Sequence, residues 1–254
     1  MNKNIRSTQF RIFLAACCLA AAICARAQSG TPALRKFQQV AISPDGNRVA
    51  WVGDAFNASG GLDGSAIYVQ DLKAPDAKPR RITAARGGMS ASEDTIAWSP
   101  DSRQLAFLSD VEGHDQSQLY VAHVDGGTAR KLTTLTGSLA DPAWSSDGKT
   151  LAFLFTENAP RANPLMPMAA ETGVIDAKVY AQRLTLVDLA SGKIRQLSPP
   201  DMYVYEYDLA PDGKSFAAIA AHGAGDANWY VLENLRVASG PPERQRSSAG
   251  RISV

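Results

Sequence analysis

Apolar and polar positions alternate in short runs along this chain, and the runs recur. Ala41-Ile42-Ser43-Pro44-Asp45-Gly46-Asn47-Arg48-Val49-Ala50-Trp51-Val52 sets the phrase: a strand end, a tight turn, a second strand. It returns as Trp98-Ser99-Pro100-Asp101-Ser102-Arg103-Gln104-Leu105-Ala106-Phe107-Leu108 and as Ala143-Trp144-Ser145-Ser146-Asp147-Gly148-Lys149-Thr150-Leu151-Ala152-Phe153-Leu154. The last copy is Asp208-Leu209-Ala210-Pro211-Asp212-Gly213-Lys214-Ser215-Phe216-Ala217-Ala218-Ile219. Proline presets φ at the second turn position, Asp accepts local backbone hydrogen bonds, and Gly turns left-handed without steric cost. Pro44-Asp45-Gly46 therefore predicts a type I turn with a bulge glycine, a common hairpin connection. Pro100-Asp101, Asp147-Gly148 and Pro211-Asp212-Gly213 predict the same turn. Gln104 to Leu108 and Thr150 to Leu154 are apolar at nearly every position, as strands buried on both faces are.

Each turn sits inside a set of four expected strands. The first set is Phe37 to Ile42, Arg48 to Val52, Ala66 to Asp71 and Arg80 to Thr83, with a Gly-rich loop at Asn57 to Gly64. The second is Thr95 to Ser99, Gln104 to Ser109, Gln118 to His123 and Ala129 to Thr133. The third is Asp141 to Ser145, Thr150 to Phe155, Arg183 to Asp188 and Lys193 to Leu197, interrupted by a long loop from Thr156 to Gln182. The fourth is Tyr203 to Leu209, Ser215 to Ala220 and Asn228 to Leu232, without a clear outer strand. The turns lie 56, 46 and 65 residues apart, counted from Ser43, Ser99, Ser145 and Ala210. Four strands per period of roughly 40–50 residues is the signature of propeller blades, which bury their faces on one another. The fold expected is all-β: a β-propeller of four-stranded antiparallel blades, about three and a half to four in number. The blades fall at about 37–85, 95–135, 141–198 and 203–235, after a lead-in at 28–36. Propellers typically close with four to eight blades, so the chain reads as an incomplete, truncated propeller. Residues 236–254, rich in Pro, Gly, Ser and Arg, read as a disordered or aberrant tail.

Composition changes this picture mainly at the N-terminus. Lys3, Arg6 and Arg11 precede an apolar run from Ile12 to Cys24, and Ala25-Arg26-Ala27 follows as a small-x-small cleavage signal. This is the pattern of a secretory signal peptide over 1–27, too short for a membrane span, with cleavage between Ala27 and Gln28. An exported protein, periplasmic or extracellular, is expected. Leu14-Ala15-Ala16-Cys17 is a rival lipoprotein box, preceded by only a short apolar segment; an uncleaved anchor is a further rival. All three cysteines (Cys17, Cys18, Cys24) lie in this leader, so the mature chain has no disulfide. Removing the leader takes four cations and no acid from a chain of 26 Lys+Arg and 25 Asp+Glu, leaving about −3. That balance argues against a nucleic-acid partner.

Candidate chemistry is sparse. His114 sits beside Glu112 and Asp115, but the spacing matches no metal-ligand motif. Asp110, Glu112 and Asp115 lack the calcium-loop pattern. His123 reads as a partly buried strand residue, and His222 with Asp226 as loop geometry without a nucleophile. Trp51, Trp98 and Trp144 read as packing residues at the hairpins, with Trp229 outside that register. Arg80-Arg81 and Arg130-Lys131 read as guards of the outer strand edges. No cofactor and no metal site is expected.

Ile96-Ala97-Trp98-Ser99-Pro100-Asp101 and Tyr203-Val204-Tyr205-Glu206-Tyr207-Asp208-Leu209-Ala210-Pro211-Asp212-Gly213 resemble the N-terminal propeller of secreted prolyl oligopeptidase-family serine peptidases, the dipeptidyl-peptidase and acylaminoacyl-peptidase branches. They are also similar to the propeller of TolB. The resemblance spans roughly residues 34–235, and Ala221-His222-Gly223-Ala224-Gly225-Asp226-Ala227-Asn228-Trp229-Tyr230 favours the peptidase group. It implies a domain that gates and binds peptides over an α/β-hydrolase carrying Ser, Asp and His. This chain contains no G-x-S-x-G, so no catalytic residue carries over and the hydrolase domain is expected to be missing. It contains no Glu-Glu pair either; Glu206 stands alone and reads as a strand-end surface residue. The partners implied are peptides or, on the TolB reading, an envelope protein, for which the short segment before the first blade is a poor match. A remnant without function is the third reading.

Overall fold

The computed structural model describes residues 36–57, 59–86, 89–113, 116–159, 180–211, 215–222 and, as backbone alone, 233–238. The expected leader with Ala27 and Gln28, the tail beyond 238, Asp212, Gly213, His114, Asp115, Asp226 and Trp229 lie outside the described residues.

Every regular element among the described residues is a strand. Blade one is β1 (Phe37–Ile42), β2 (Arg48–Phe56), β3 (Leu62–Asp71) and β4 (Arg80–Ile82), hydrogen-bonded in that order. Blade two is β5 (Glu93–Trp98), β6 (Gln104–Ser109), β7 (Gln118–His123) and β8 (Arg130–Lys131). Blade three is β9 (Gly137–Trp144), β10 (Thr150–Glu157), β11 (Gln182–Asp188) and β12 (Ile194–Gln196). Blade four is β13 (Met202–Leu209), β14 (Ser215–His222) and β15 (Glu233–Ala238). The described residues form four antiparallel propeller blades, three of four strands and one of three.

Several boundaries differ from the sequence expectation, and three of the differences change a ladder. β2 runs on to Phe56, and its ladder draws Leu62 to Gly64 into β3, which shortens the expected glycine loop. β9 starts at Gly137, not Asp141, because β10 continues to Glu157 and needs a partner. The third strand of blade four is Glu233–Ala238, not Asn228–Leu232; it runs beside β14 from Ser215↔Ala238 to Ala220↔Glu233. Asn234-Leu235-Arg236-Val237 alternates polar and apolar residues as a ladder strand does, whereas Asn228 is followed by Trp229-Tyr230-Val231-Leu232 without alternation, and residues 228–232 lie outside the described residues.

The turns are wired alike. Ser43 Oγ donates to Asp45 Oδ1 at 2.6 Å, and Asp45 Oδ1 accepts the Asn47 N–H at 3.0 Å. Ser99 with Asp101 and Arg103 repeats this at 2.6 and 3.0 Å, and Ser145 with Asp147 and Lys149 at 2.7 and 3.0 Å. These bonds hold the Asp45, Asp101 and Asp147 carboxyls below the usual carboxylate range. Gly46 and Gly148 take φ of 71° and 68°. Blade two puts Ser102 there at φ 61°. A non-glycine residue pays for that conformation, and Ser102 offsets the cost by accepting the Asp45 N–H on its hydroxyl at 3.0 Å, across the blades.

The core lies between the blades rather than within any one of them. Phe107 and Tyr120 stack at 5.9 Å and bury against Val52, Ile67 and Val69 of blade one. Phe153 and Leu151 bury against Ala106, Leu108 and Leu119. Phe216 and Val204 bury against Leu154 and Leu184. Phe107 and Phe153 are wholly buried, each worth about 2 kcal/mol or more relative to exposure.

Candidate functional site

The first strands of the four blades meet around a pocket of about 340 Å³, lined by Gln39, Thr95, Ile96, Asp141, Glu206 and Tyr207 among others. Each of these strands carries a bulge: between Phe37 and Gln39, Asp94 and Ala97, Ala140 and Ala143, and Val204 and Glu206. A bulge re-aims the side chains beside it and loosens the ladder. Two of the bulge residues, Thr95 and Asp141, have φ of 52° and 48°, a left-handed conformation that costs an L-residue about 1 kcal/mol.

Hydrogen bonds between blades fix the lining. The Gln39 amide stands in for a strand neighbour: its Oε1 accepts the Ile96 N–H at 2.7 Å and its Nε2 donates to the Ile96 carbonyl at 3.0 Å. The Tyr207 hydroxyl donates to the Asp141 carbonyl at 2.5 Å. Burial, with Asp141 and Asp208 nearby, pushes the Tyr207 phenol far up, so it remains a neutral donor. Asp94 lies beside the same bulge; burial raises its carboxyl, against a 2.9 Å bond from the Thr95 hydroxyl. The pocket thus presents the carboxylates of Asp141 and Glu206 beside an amide and a phenol. Such a set binds polar and cationic groups by hydrogen bonding and charge.

The expected residues divide clearly. Pro44, Asp45, Gly46, Pro100, Asp101, Asp147, Gly148 and Pro211 sit at the hairpin turns, away from the pocket lining. Glu206 is not at a strand end: it lies inside β13, exposed at the pocket. His123 is exposed as the last residue of β7, after five buried positions, with its Nε2 3.3 Å from Gln104 Nε2. His222 stands 3.4 Å from Asp201, a neighbour supplied by the residue before β13. Glu112 pairs with Lys131 at 2.5 Å and accepts the Tyr120 hydroxyl at 3.2 Å, and Asp110 accepts the Ser92 N–H at 2.7 Å. Burial, helped by the neighbouring Glu112, pushes the Tyr120 phenol up to about 12. Among the described residues no three His, Cys, Asp or Glu side chains stand together as metal ligands.

The tryptophans serve two different contacts. Trp98 Nε1 donates to the Ala41 carbonyl at 3.1 Å and Trp144 Nε1 to the Ala97 carbonyl at 3.0 Å, each reaching back one blade. Trp51 is on a second strand and stacks on Tyr68 at 5.7 Å. The outer-strand arginines reach forward: Arg80 donates to the Asp125 carbonyl, and Arg130 to the Leu189 carbonyl at 2.8 Å. They tie an edge to the next blade's outer turn.

Sequence patterns missed Gln39, Thr95, Asp141 and Tyr207, since a bulge leaves no composition signal. They also missed Glu93, which is wholly buried at the start of β5. Its Oε1 accepts the Thr83 hydroxyl at 2.7 Å and the Ala84 N–H at 2.6 Å, while Oε2 has no partner. Counted from the turns, Glu93 occupies the position of Phe37, Leu139 and Val204, opposite Ser109 as they stand opposite Gly53, Phe155 and Ala220. That positional comparison was the available signal.

Comparison with known proteins places this geometry. The chain is similar to the uncharacterized peptidase YuxL of Bacillus subtilis, 38% identical over 188 residues, or 68% of this chain and 27% of that protein. It thus spans about a quarter of that relative's length. A puromycin-hydrolyzing peptidase of Mycobacterium tuberculosis superposes with TM-score 0.54 at 19% identity, over 80% of this chain and 28% of the other. TolB of Acinetobacter baumannii superposes with TM-score 0.51 at 18% identity, over 80% and 41%. At these identities the two structures establish a shared fold. The TolB beta propeller domain matches residues 40–239, most of the chain, and the protein belongs to that propeller family.

Proposed function

We propose that this chain is the non-catalytic propeller part of an exported peptidase of the prolyl oligopeptidase family, and that it admits and binds peptides. The 38% identity to YuxL, a protein named as a peptidase, carries the reading. The pocket supports it: Asp141 and Glu206 would favour a cationic peptide end, and Gln39 and Tyr207 lie beside them. Hydrolysis, in this reading, belongs to a hydrolase domain whose G-x-S-x-G these residues do not contain. Export rests on the leader pattern from Met1 to Ala27.

The purified chain is expected to leave dipeptidyl and acyl-aminoacyl chromogenic substrates uncleaved, and turnover that co-purifies with it would overturn the reading. Titration calorimetry should show short free-amine peptides binding more tightly than their acetylated forms, a difference lost in Glu206→Gln. A second reading is favoured by the likeness to TolB: a propeller that docks an envelope protein. Retention of one specific envelope protein, with no peptide binding, would select it.

A further inference from the structure

The charges of this chain are sorted between inner and outer strands. The outer segments 77–83, 128–133 and 193–198, which carry β4, β8 and β12, hold seven lysines and arginines and no acid. Elsewhere among the residues described with their side chains, seven cations stand against 18 Asp and Glu. A net charge near zero hides this division. The sorting follows the repeat. Arg80, Arg130 and Arg195 stand opposite Val69, Val121 and Leu186, the third-strand residues that pair with Ala50, Ala106 and Ala152. All three arginines are exposed, as are Lys78 and Lys193.

The rim keeps its charge. Of the seven outer cations only Lys131 forms an ion pair among the described residues, with Glu112. Arg80 and Arg130 donate to the Asp125 and Leu189 carbonyls, which carry no formal charge, and so join one blade's basic edge to the next blade's outer turn. The acids nearest to them are engaged elsewhere: the Asp125 carboxylate pairs with Arg48 at 2.9 Å, and the Asp188 carboxylate accepts the Ser191 N–H and hydroxyl, each at 2.7 Å. Protection of a sheet edge explains a charge on each outer strand. It does not explain the sign, because a carboxylate guards an edge as an ammonium does.

We infer that the outer rim of the blades docks on an anionic phospholipid surface, edge-on, with the acidic inner strands held away from it. Exposed Lys and Arg on one side of a molecule that is acidic elsewhere orient it at such a surface. The inference does not rest on the peptide-binding reading.

Sedimentation of the 254-residue chain with vesicles tests this. Binding to mixed phosphatidylglycerol–phosphatidylcholine vesicles is expected, with none to phosphatidylcholine alone. It should fall on the order of tenfold between about 50 mM and about 300 mM salt, as screening shortens the reach of each charge. Lys78→Gln with Lys193→Gln, two exposed side chains without a hydrogen bond or ion pair among the described residues, should weaken binding about twentyfold, roughly fivefold per charge, with circular dichroism unchanged. The same charge removed off the rim, as Lys36→Gln with Lys149→Gln, should change it less than about twofold. Equal binding to neutral vesicles, or a loss in the rim pair no greater than in the off-rim pair, would overturn the inference. So would binding abolished by Lys3→Gln with Arg6→Gln alone, which would assign it to the leader, or retention on duplex DNA with none on vesicles.

Discussion

The strap leaving blade one and the strap leaving blade two are tied down by opposite chemistry. Leaving blade two, the chain is held by Gln118: its Oε1 accepts the Thr133 hydroxyl at 2.9 Å and the Leu135 N–H at 3.0 Å, and its Nε2 donates to the Leu135 carbonyl at 2.8 Å. Leaving blade one, Glu93 comes from the following blade and accepts from Thr83, the equivalent of Thr133, and from the Ala84 N–H. Ala66, the counterpart of Gln118 by register, has no polar side chain, and Ser65 beside it accepts the Glu93 N–H on its hydroxyl at 3.1 Å. An amide both accepts and donates, so Gln118 satisfies the strap completely. A carboxylate only accepts, and Glu93 retains one buried oxygen with no donor. The same site is therefore stable without qualification in blade two and sensitive to protons in blade one. Gly64 shows how close this strap runs: at φ 89°, a Cβ there would meet the Ala91 carbonyl oxygen at 2.9 Å.

Four substitutions break or sharpen the comparison. Gln118→Ala loses three bonds in a buried setting and should cost about 3 kcal/mol in urea unfolding. Glu93→Ala also orphans two donors but removes the unpartnered oxygen, so its cost should be smaller, about 2 kcal/mol. A greater cost for Glu93→Ala than for Gln118→Ala would contradict the unequal satisfaction of the two straps. Glu93→Gln keeps the accepting oxygen and should change stability by about 1 kcal/mol or less, with a sign that depends on pH. Burial raises the Glu93 carboxyl above its ordinary 4.5, chiefly by desolvation. The folded state then holds a proton that the unfolded chain releases, and folding weakens as pH rises above that value. Stability measured against pH should show this slope in wild type and lose it in Glu93→Gln. Smallest is Asp101→Asn, at an exposed turn shared by both blades' pattern. The Asp101 carboxyl is lowered, so its contribution is present above the unfolded value and fades as pH falls through the folded one. Thermal melts in acid should show a flatter decline for the variant.

Much of the fold was legible because a hairpin is a local object. Pro44-Asp45-Gly46 and Asp147-Gly148 specify their turns through residues in direct sequence contact, and the strand period follows from there. The outer strands were less legible: Arg130–Lys131 keeps only two residues of an expected five, since an edge needs few ladder bonds once Arg130 is tied to the next blade. The pocket was hardly legible at all. Gln39 matters because Ile96 is beside it, 57 residues later, and nothing near Gln39 in sequence announces this. Glu93, within Ser92-Glu93-Asp94, reads locally as an exposed polar turn. Only its equivalence to Leu139 and Val204 places it in the interior.

The backward reach of Trp98 and Trp144 bears on how the chain is made. Each blade is one continuous stretch of sequence, and each of these indoles seeks a carbonyl in the blade translated before it. A nascent chain emerging N-terminus first would find every acceptor already in place, and each finished blade would serve as the template on which its successor condenses.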